Sequence, residues 1–396
     1  MTILDKFQTL ANAKADLVGG GVNPFRVVTE RIISATEGIV NGRRTILAGT
    51  NNYLGLTFDP QCIQAARDAV QEQGTGTTGS RMANGTYACH QALEQDLAAF
   101  YGDGCSAIVF STGYLANLGI LSTVAGQGDV ILLDADCHAS IYDGCRMSDA
   151  DVIRFRHNDI NDLEKRLRRL GDRASRTLIL VEGIYSMLGD RAPLADIARI
   201  KQRYGAYLLV DEAHSLGVLG QRGRGLVEEV RVEDKVDFIV GTFSKSLGGI
   251  GGFCVSKQPE LEIIRYAIRP YVFTASPSPS VIASTRMALQ ILSERSELRD
   301  QLWNNAHHLY HGLQAQGFLL GPEPSPVVAV ILKNKEQLLL SWNSLLEHGV
   351  YVNLVLPPGS PNGACLLRCS VSAAHTYDQI EAILAAFSSV REAVLA

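Results

Sequence analysis

The sequence predicts an α/β protein: a large domain on a mostly parallel sheet with helices on both faces, followed by a smaller α+β domain. Three observations carry this prediction. Between residues 58 and 278 helical segments alternate with short runs such as Ala107-Ile108-Val109-Phe110, Val130-Ile131-Leu132-Leu133 and Thr177-Leu178-Ile179-Leu180-Val181. Those runs are apolar at consecutive positions, as strands buried on both faces must be. After about residue 279 the rhythm changes to a long amphipathic helix, then apolar runs at 327–332, 350–355 and 365–371 separated by helical patterns. Finally, a chain of 396 residues accommodates two or three domains.

In order along the chain, residues 1 to about 30 read as a helical arm ending in the turn-rich Gly19-Gly20-Gly21-Val22-Asn23-Pro24. The arm and the following hairpin form a segment over 1–57. Gly38 to Leu47 is that hairpin, turning at Asn41-Gly42, a dipeptide that suits a type I′ turn, and its strands are expected to join a later sheet. The runs Tyr207-Leu208-Leu209-Val210, Phe238-Ile239-Val240 and Phe253-Cys254-Val255 complete the large domain, 58–278. In the small domain, 279–396, Thr376 with Gln379 forms a capping box for the last helix.

Composition excludes several classes. Lys plus Arg number 36 against 41 Asp plus Glu, a net charge of -5 without long runs, so there is no basic footprint for nucleic acid. Glu164-Lys165-Arg166-Leu167-Arg168-Arg169 reads as the solvated face of a short helix. The eight cysteines form no CxxC pair, which fits reduced thiols in the cytoplasm. The start shows no signal-peptide pattern and no run of about 18 apolar residues occurs, so a cytoplasmic protein is expected, with peripheral attachment at the inner membrane left open.

Three motifs fail on context. Gly74-x-Gly76-x-x-Gly79 follows a helical pattern, not the strand a dinucleotide fingerprint needs. Asp211-Glu212-Ala213-His214 spells the acidic box of a P-loop NTPase, but no GxxxxGK[ST] accompanies it. His307, His308 and His311 lie at helical spacing without a nearby carboxylate or thiolate, so packing is favoured over metal binding, and no metal is expected.

A set at strand exits remains. Lys245, in Gly241-Thr242-Phe243-Ser244-Lys245-Ser246, follows the run ending at Val240, and a partly desolvated lysine there can form a Schiff base. Ser111-Thr112-Gly113-Tyr114 follows Phe110 and opens a helix whose backbone N–H groups can hold a phosphate. Asp211 ends another run, and a buried carboxylate needs a cationic partner, which a protonated pyridine nitrogen would supply. Together these describe a pyridoxal-phosphate site.

Val210-Asp211-Glu212-Ala213-His214-Ser215-Leu216-Gly217, the Lys245 segment, and Gly76-Thr77-Thr78-Gly79-Ser80-Arg81 with Asn84-Gly85-Thr86 resemble the α-oxoamine synthase family of fold-type I pyridoxal-phosphate enzymes, from about residue 36 to the C-terminus. Such a resemblance implies a large domain with a seven-stranded-type sheet. It also implies that Lys245 holds the cofactor and serves as acid and base, that Asp211 pairs with the pyridine nitrogen, that His138 stacks on the ring, and that His214 and Ser186 approach its phenolic oxygen. Gly113, Tyr114, Thr242 and Ser244 would hold the phosphate, with Thr274 reaching it from a second subunit of an obligate homodimer. Arg368, with Asn52 and Ser80, would bind the amino acid; Arg suits a carboxylate by its bidentate fork.

Within the family, Phe155-Arg156-His157-Asn158, the segment from Glu182 to Asp190 and Arg269-Pro270-Tyr271-Val272-Phe273-Thr274-Ala275-Ser276 resemble the branch that condenses L-serine with palmitoyl-CoA to 3-ketodihydrosphingosine. A sister activity would use glycine or alanine, or an acyl-carrier-protein thioester. One departure stands out: relatives often carry an arginine just before the Pro-Pro pair, where this chain has Leu356-Pro357-Pro358.

Overall fold

The computed structural model describes every residue except Met1, 19–22, 25, 358 and 392–396, so most of the glycine-rich turn and the second proline after Leu356 lie outside the described residues. The chain divides into a larger unit, residues 51–186 and 190–302, and a smaller one, residues 1–50, 187–189 and 303–396.

The larger unit is built on seven strands: β1 Ser106–Phe110, β2 Val130–Asp134, β3 Asp151–Phe155, β4 Thr177–Glu182, β5 Tyr207–Asp211, β6 Phe238–Thr242 and β7 Gly252–Ser256. Their spatial order is β1-β7-β6-β5-β4-β2-β3. From β6 to β3 all neighbours are parallel, whereas β7 runs antiparallel to both β1 and β6. Strands β2, β4, β6 and β7 are buried at every position, as their unbroken apolar runs require. The polar edge strand β3 gave no such run, because only Phe155 of its residues is buried.

Two expected boundaries move. The helix Pro279–Glu294 packs on the helices Pro60–Gln73 and Ala88–Tyr101, so it belongs to the larger unit, whose last residue is Leu302 rather than a residue near 278. The N-terminal boundary falls at 50/51 instead of 57/58. Residues 187–189 join the smaller unit because Gly189, at φ +78°, sits so close to Ser325 and Val327 that a Cβ would lie 2.3 Å from the Val327 carbonyl oxygen.

In the smaller unit the strands Glu37–Val40 and Arg43–Leu47 form the expected hairpin, with Asn41 and Gly42 at φ 51° and 70°, the left-handed values of a type I′ turn. It joins a later segment as expected, since Val350–Tyr351 pairs parallel to Arg43–Leu47. A second, antiparallel sheet orders Leu319–Leu320, Val327–Leu332, Cys365–Ser370 and Asn353–Val355. The last helix, Tyr377–Val390, has the Thr376/Gln379 capping box, and the Gln379 side chain also bonds Thr36 and Glu37. His308 lies 2.7 Å from Glu381, and His307 stacks on His311. Among the described residues no helix is long and apolar enough to cross a membrane.

Candidate active site

The exits of β1, β2, β4, β5 and β6 converge on one cavity in the larger unit, of about 330 Å³. Open α/β sheets bind ligands at this end because loops and helix N-termini gather there. Lys245, Asp211, His138, His214, Gly113, Tyr114, Thr242 and Ser244 all line it.

At the end of β5, Asp211 is 5% exposed and takes hydrogen bonds from two neutral donors, Asn117 Nδ2 at 2.7 Å and the Ala213 backbone N–H at 2.9 Å. Asn117 also donates to Ser140 Oγ at 3.0 Å, while its own buried Oδ1 has no hydrogen-bond partner among the described residues. Glu212, next in the chain, turns away from this chemistry. It accepts from the Ser215 hydroxyl and from the backbone N–H groups of Leu226 and Val227, and burial raises its pKa to about 7. This is a buried cap on a short helix, which accounts for the acidic box without a nucleotide.

The helix Gly113–Val124 begins where β1 ends, with Thr112 Oγ1 accepting from the Leu115 N–H at 3.0 Å. A Cβ at Gly113 would lie 2.8 Å from Thr242 Cβ, so only glycine lets this helix start approach β6. Thr242 Oγ1 donates to the Gly251 carbonyl and lies 2.9 Å from Ser244 Oγ. Tyr114 is 42% exposed and its hydroxyl donates to Asp143.

His138 follows β2. Its Nδ1 lies 2.8 Å from Ser140 Oγ, and its backbone N–H donates to Glu182 Oε1 at the end of β4. Burial holds the His138 pKa down, with the Asp211 charge acting in the opposite sense. Glu182 is fully buried and in register with Asp211 on the adjacent strand; burial first, then the Asp211 charge, push its carboxyl well above the usual range. His214 Nδ1 lies 2.7 Å from the hydroxyl of Tyr53, which has no exposed surface. That contact fixes how the imidazole faces the cavity. Tyr53→Phe should leave the fold intact and, at about 0.5–1.5 kcal/mol for one hydrogen bond, lower kcat roughly two- to tenfold in steady-state assays.

The remaining expected residues do not line this cavity. Ser186 lies on the loop after β4, and Asn52 is buried with its Nδ2 donating to Thr57 Oγ1 at 2.7 Å. Ser80 forms an isolated bridge with Ala275, beside Thr274, and Ser276 Oγ fastens that bridge by donating to the Gly85 carbonyl at 2.6 Å. Arg368 lies in the smaller unit, buried on Cys365–Ser370 opposite Ala329 and Asn353. Sequence reasoning missed Tyr53, Asn117 and Ser140 and gave Glu182 no role; of these only Asn117, one helical turn after Gly113, could have been found by spacing.

The cavity fits pyridoxal phosphate: a lysine, a buried carboxylate that accepts from an amide and a backbone N–H, and a glycine-opened helix start beside two hydroxyls. Known proteins agree. The family described as aminotransferase class I and II matches residues 44–387. A serine palmitoyltransferase of Caulobacter vibrioides is 58% identical over 394 residues, covering 100% of this chain and 97% of the relative. The solved serine palmitoyltransferase of Sphingomonas wittichii superposes with a TM-score of 0.97 at 50% identity, covering 100% of this chain and 99% of that one. A serine palmitoyltransferase solved with pyridoxal phosphate gives 0.97 at 49% identity, with the same coverage of 100% and 99%. The chain therefore belongs to the aminotransferase class I and II family, as a fold-type I pyridoxal-phosphate enzyme of the α-oxoamine synthase kind.

Proposed function

We propose that this protein condenses L-serine with a long-chain acyl-CoA, palmitoyl-CoA in the first instance, releasing carbon dioxide and giving 3-ketodihydrosphingosine, the first step of sphingolipid synthesis. One observation carries the reading: Lys245 and Asp211 face the same cavity from neighbouring strands of the sheet, in a chain 58% identical to a serine palmitoyltransferase. When bound, pyridoxal phosphate supplies an electron-withdrawing ring that stabilises negative charge at the amino-acid α-carbon.

The chain's own residues do the rest. Lys245 Nζ would hold the cofactor and would move the α-proton of the amino acid, taking it and later returning one. Asp211 would keep the ring nitrogen protonated, and His138 would pack on the ring face. His214, oriented by Tyr53, and Ser186 serve the phenolic oxygen. The Gly113 helix start, Tyr114, Thr242 and Ser244 take the phosphate, whose charge suits a helix N-terminus. Gly113→Ala should weaken cofactor affinity at least about tenfold, measured by fluorescence titration of the apoprotein, because the added methyl displaces Thr242.

On the family resemblance we propose Arg368 for the amino-acid carboxylate and, in the larger unit, Asn52 and Ser80 as substrate residues, and for Thr274 a place in the site of a partner subunit, so that the working form is a homodimer in the cytoplasm. Leu356 has no charge to offer a carboxylate, so Arg368 bears that task without help from its position.

Spectral titration tests the substrate. Serine should shift the absorption of the bound cofactor; a shift with glycine or alanine and none with serine overturns the assignment. Mass spectrometry of products from palmitoyl-CoA and from a palmitoyl-carrier-protein thioester identifies the acyl donor, and sedimentation analysis tests the dimer.

A further inference from the structure

His157, which follows β3, lies outside the cavity lining and has no part in the chemistry above. Its Nδ1 is 2.8 Å from Asp134 Oδ1 and its Nε2 is 2.7 Å from Asp190 Oδ2. Asp136 Oδ2 lies 3.8 Å from the same Nδ1, and the ring meets Tyr185 edge-on with centroids 4.5 Å apart. Ionised carboxylates only accept, so a ring bonded to them through both nitrogens donates from both and is an imidazolium. Burial alone would lower the His157 pKa, but the hydrogen bonds and charges of Asp134 and Asp190 prevail and hold it up at about 10.

The cation ties together three strand exits. Asp134 ends β2 and also accepts from the backbone N–H groups of Asp136 and Asn158. Asn158, held at φ 53°, donates from Nδ2 to Asp190 Oδ2 and to the Arg191 carbonyl. Asp190 in turn accepts, through its backbone carbonyl, from the Tyr185 N–H on the loop that leaves β4. His138 stands on the loop that Asp134 begins, and Glu182 at the end of β4 grips its backbone N–H. The loop bearing His138 is thus fixed from one side by the β4 carboxyl and from the other by the His157 clamp.

We propose that His157 is a positioning residue: paired with Asp134 and Asp190, it sets the His138 loop against the exit of β4 and so places the His138 imidazole at the cofactor. This rests on the reading that His138 packs on the bound ring. The measurement is the visible circular dichroism of the holoenzyme, normalised to bound cofactor, which reports the asymmetry of the ring's surroundings, with thermal melting recorded alongside.

H157Q should lower the normalised signal at least about twofold, H138A should lower it too, and the double variant should match H138A, because effects transmitted through one residue do not add. An unchanged signal in H157Q, or a loss that adds in full to that of H138A, overturns the proposal, since a residue that merely stabilises the fold acts independently of His138. An H138A holoenzyme with the wild-type signal overturns the reading of His138 and the proposal with it, whereas an effective H138A with an additive H157Q overturns the proposal alone. Should H157Q fail to fold, D190N, which removes one of the three carboxylates facing His157, makes the same comparison with the same expected outcomes.

Discussion

Lys245→Ala should yield a folded protein with no measurable turnover, a loss of at least about 10³-fold. Two proposed roles would vanish together: the covalent tether and the base at the α-carbon, the latter able to contribute on the order of 10²–10⁴-fold. The purified parent should show an absorption band near about 420 nm that borohydride abolishes with irreversible labelling of Lys245, whereas the variant should bind cofactor without becoming labelled. Because Lys245 is only partly buried, melting temperature should change little. Retained turnover, or labelling at another lysine, would refute the site.

Asp211→Asn is expected to cost about 10²–10³-fold in kcat while leaving the protein folded, the scale seen when one preorganised electrostatic partner is lost from a water-poor site. The amide preserves shape but removes the negative charge proposed to keep a ring nitrogen protonated. It also breaks the local pattern, since Asn117 Nδ2 and the Ala213 N–H both donate to the carboxylate. Asp211→Glu keeps the charge and should recover part of the rate. An Asn variant with the parent's kcat would show that Asp211 serves only as an acceptor for its neighbours.

The clamp around His157 also gives a pH expectation. A histidine whose folded pKa is raised stabilises the fold fully below its ordinary value near 6.5, and loses that contribution as pH rises through about 10. The melting-temperature advantage of the parent over H157Q should therefore be constant below about pH 6.5 and shrink steadily toward pH 10.

What the sequence made legible follows from how locally each feature is encoded. Strands buried on both faces announce themselves by apolar runs, and the Asn41-Gly42 turn by a backbone conformation few residues accept. Lys245, Asp211 and Gly113 could be read because each sits at a fixed step past such a run. Edge strand β3 could not, because solvent on one flank lets Asp151 and Arg154 replace apolar residues. Tyr53 was hidden for another reason: its value lies in its contact with His214, far away in the chain, and no local pattern marks it, whereas Asn117 could be placed by its helical step past Gly113 but not matched to Asp211. The helix Pro279–Glu294 was assigned to the wrong domain because an amphipathic pattern says that one face is covered, not by which neighbour.

The reversed strand β7 has a mechanical consequence. Because β6 and β7 are antiparallel neighbours, the segment carrying Lys245 is a closed loop whose ends are in register at Thr242 and Gly252. It is laced internally by the Phe243 and Gly249 amides and anchored by Ser246 Oγ on the Leu216 carbonyl at 2.6 Å. Such a loop opens only if the sheet frays with it. In the proposed reaction the lysine would reach its successive proton positions by rotating its own four-carbon stem on a stationary base, and the amides from Phe243 to Gly249 are expected to exchange with deuterium nearly as slowly as those of the strands on either side.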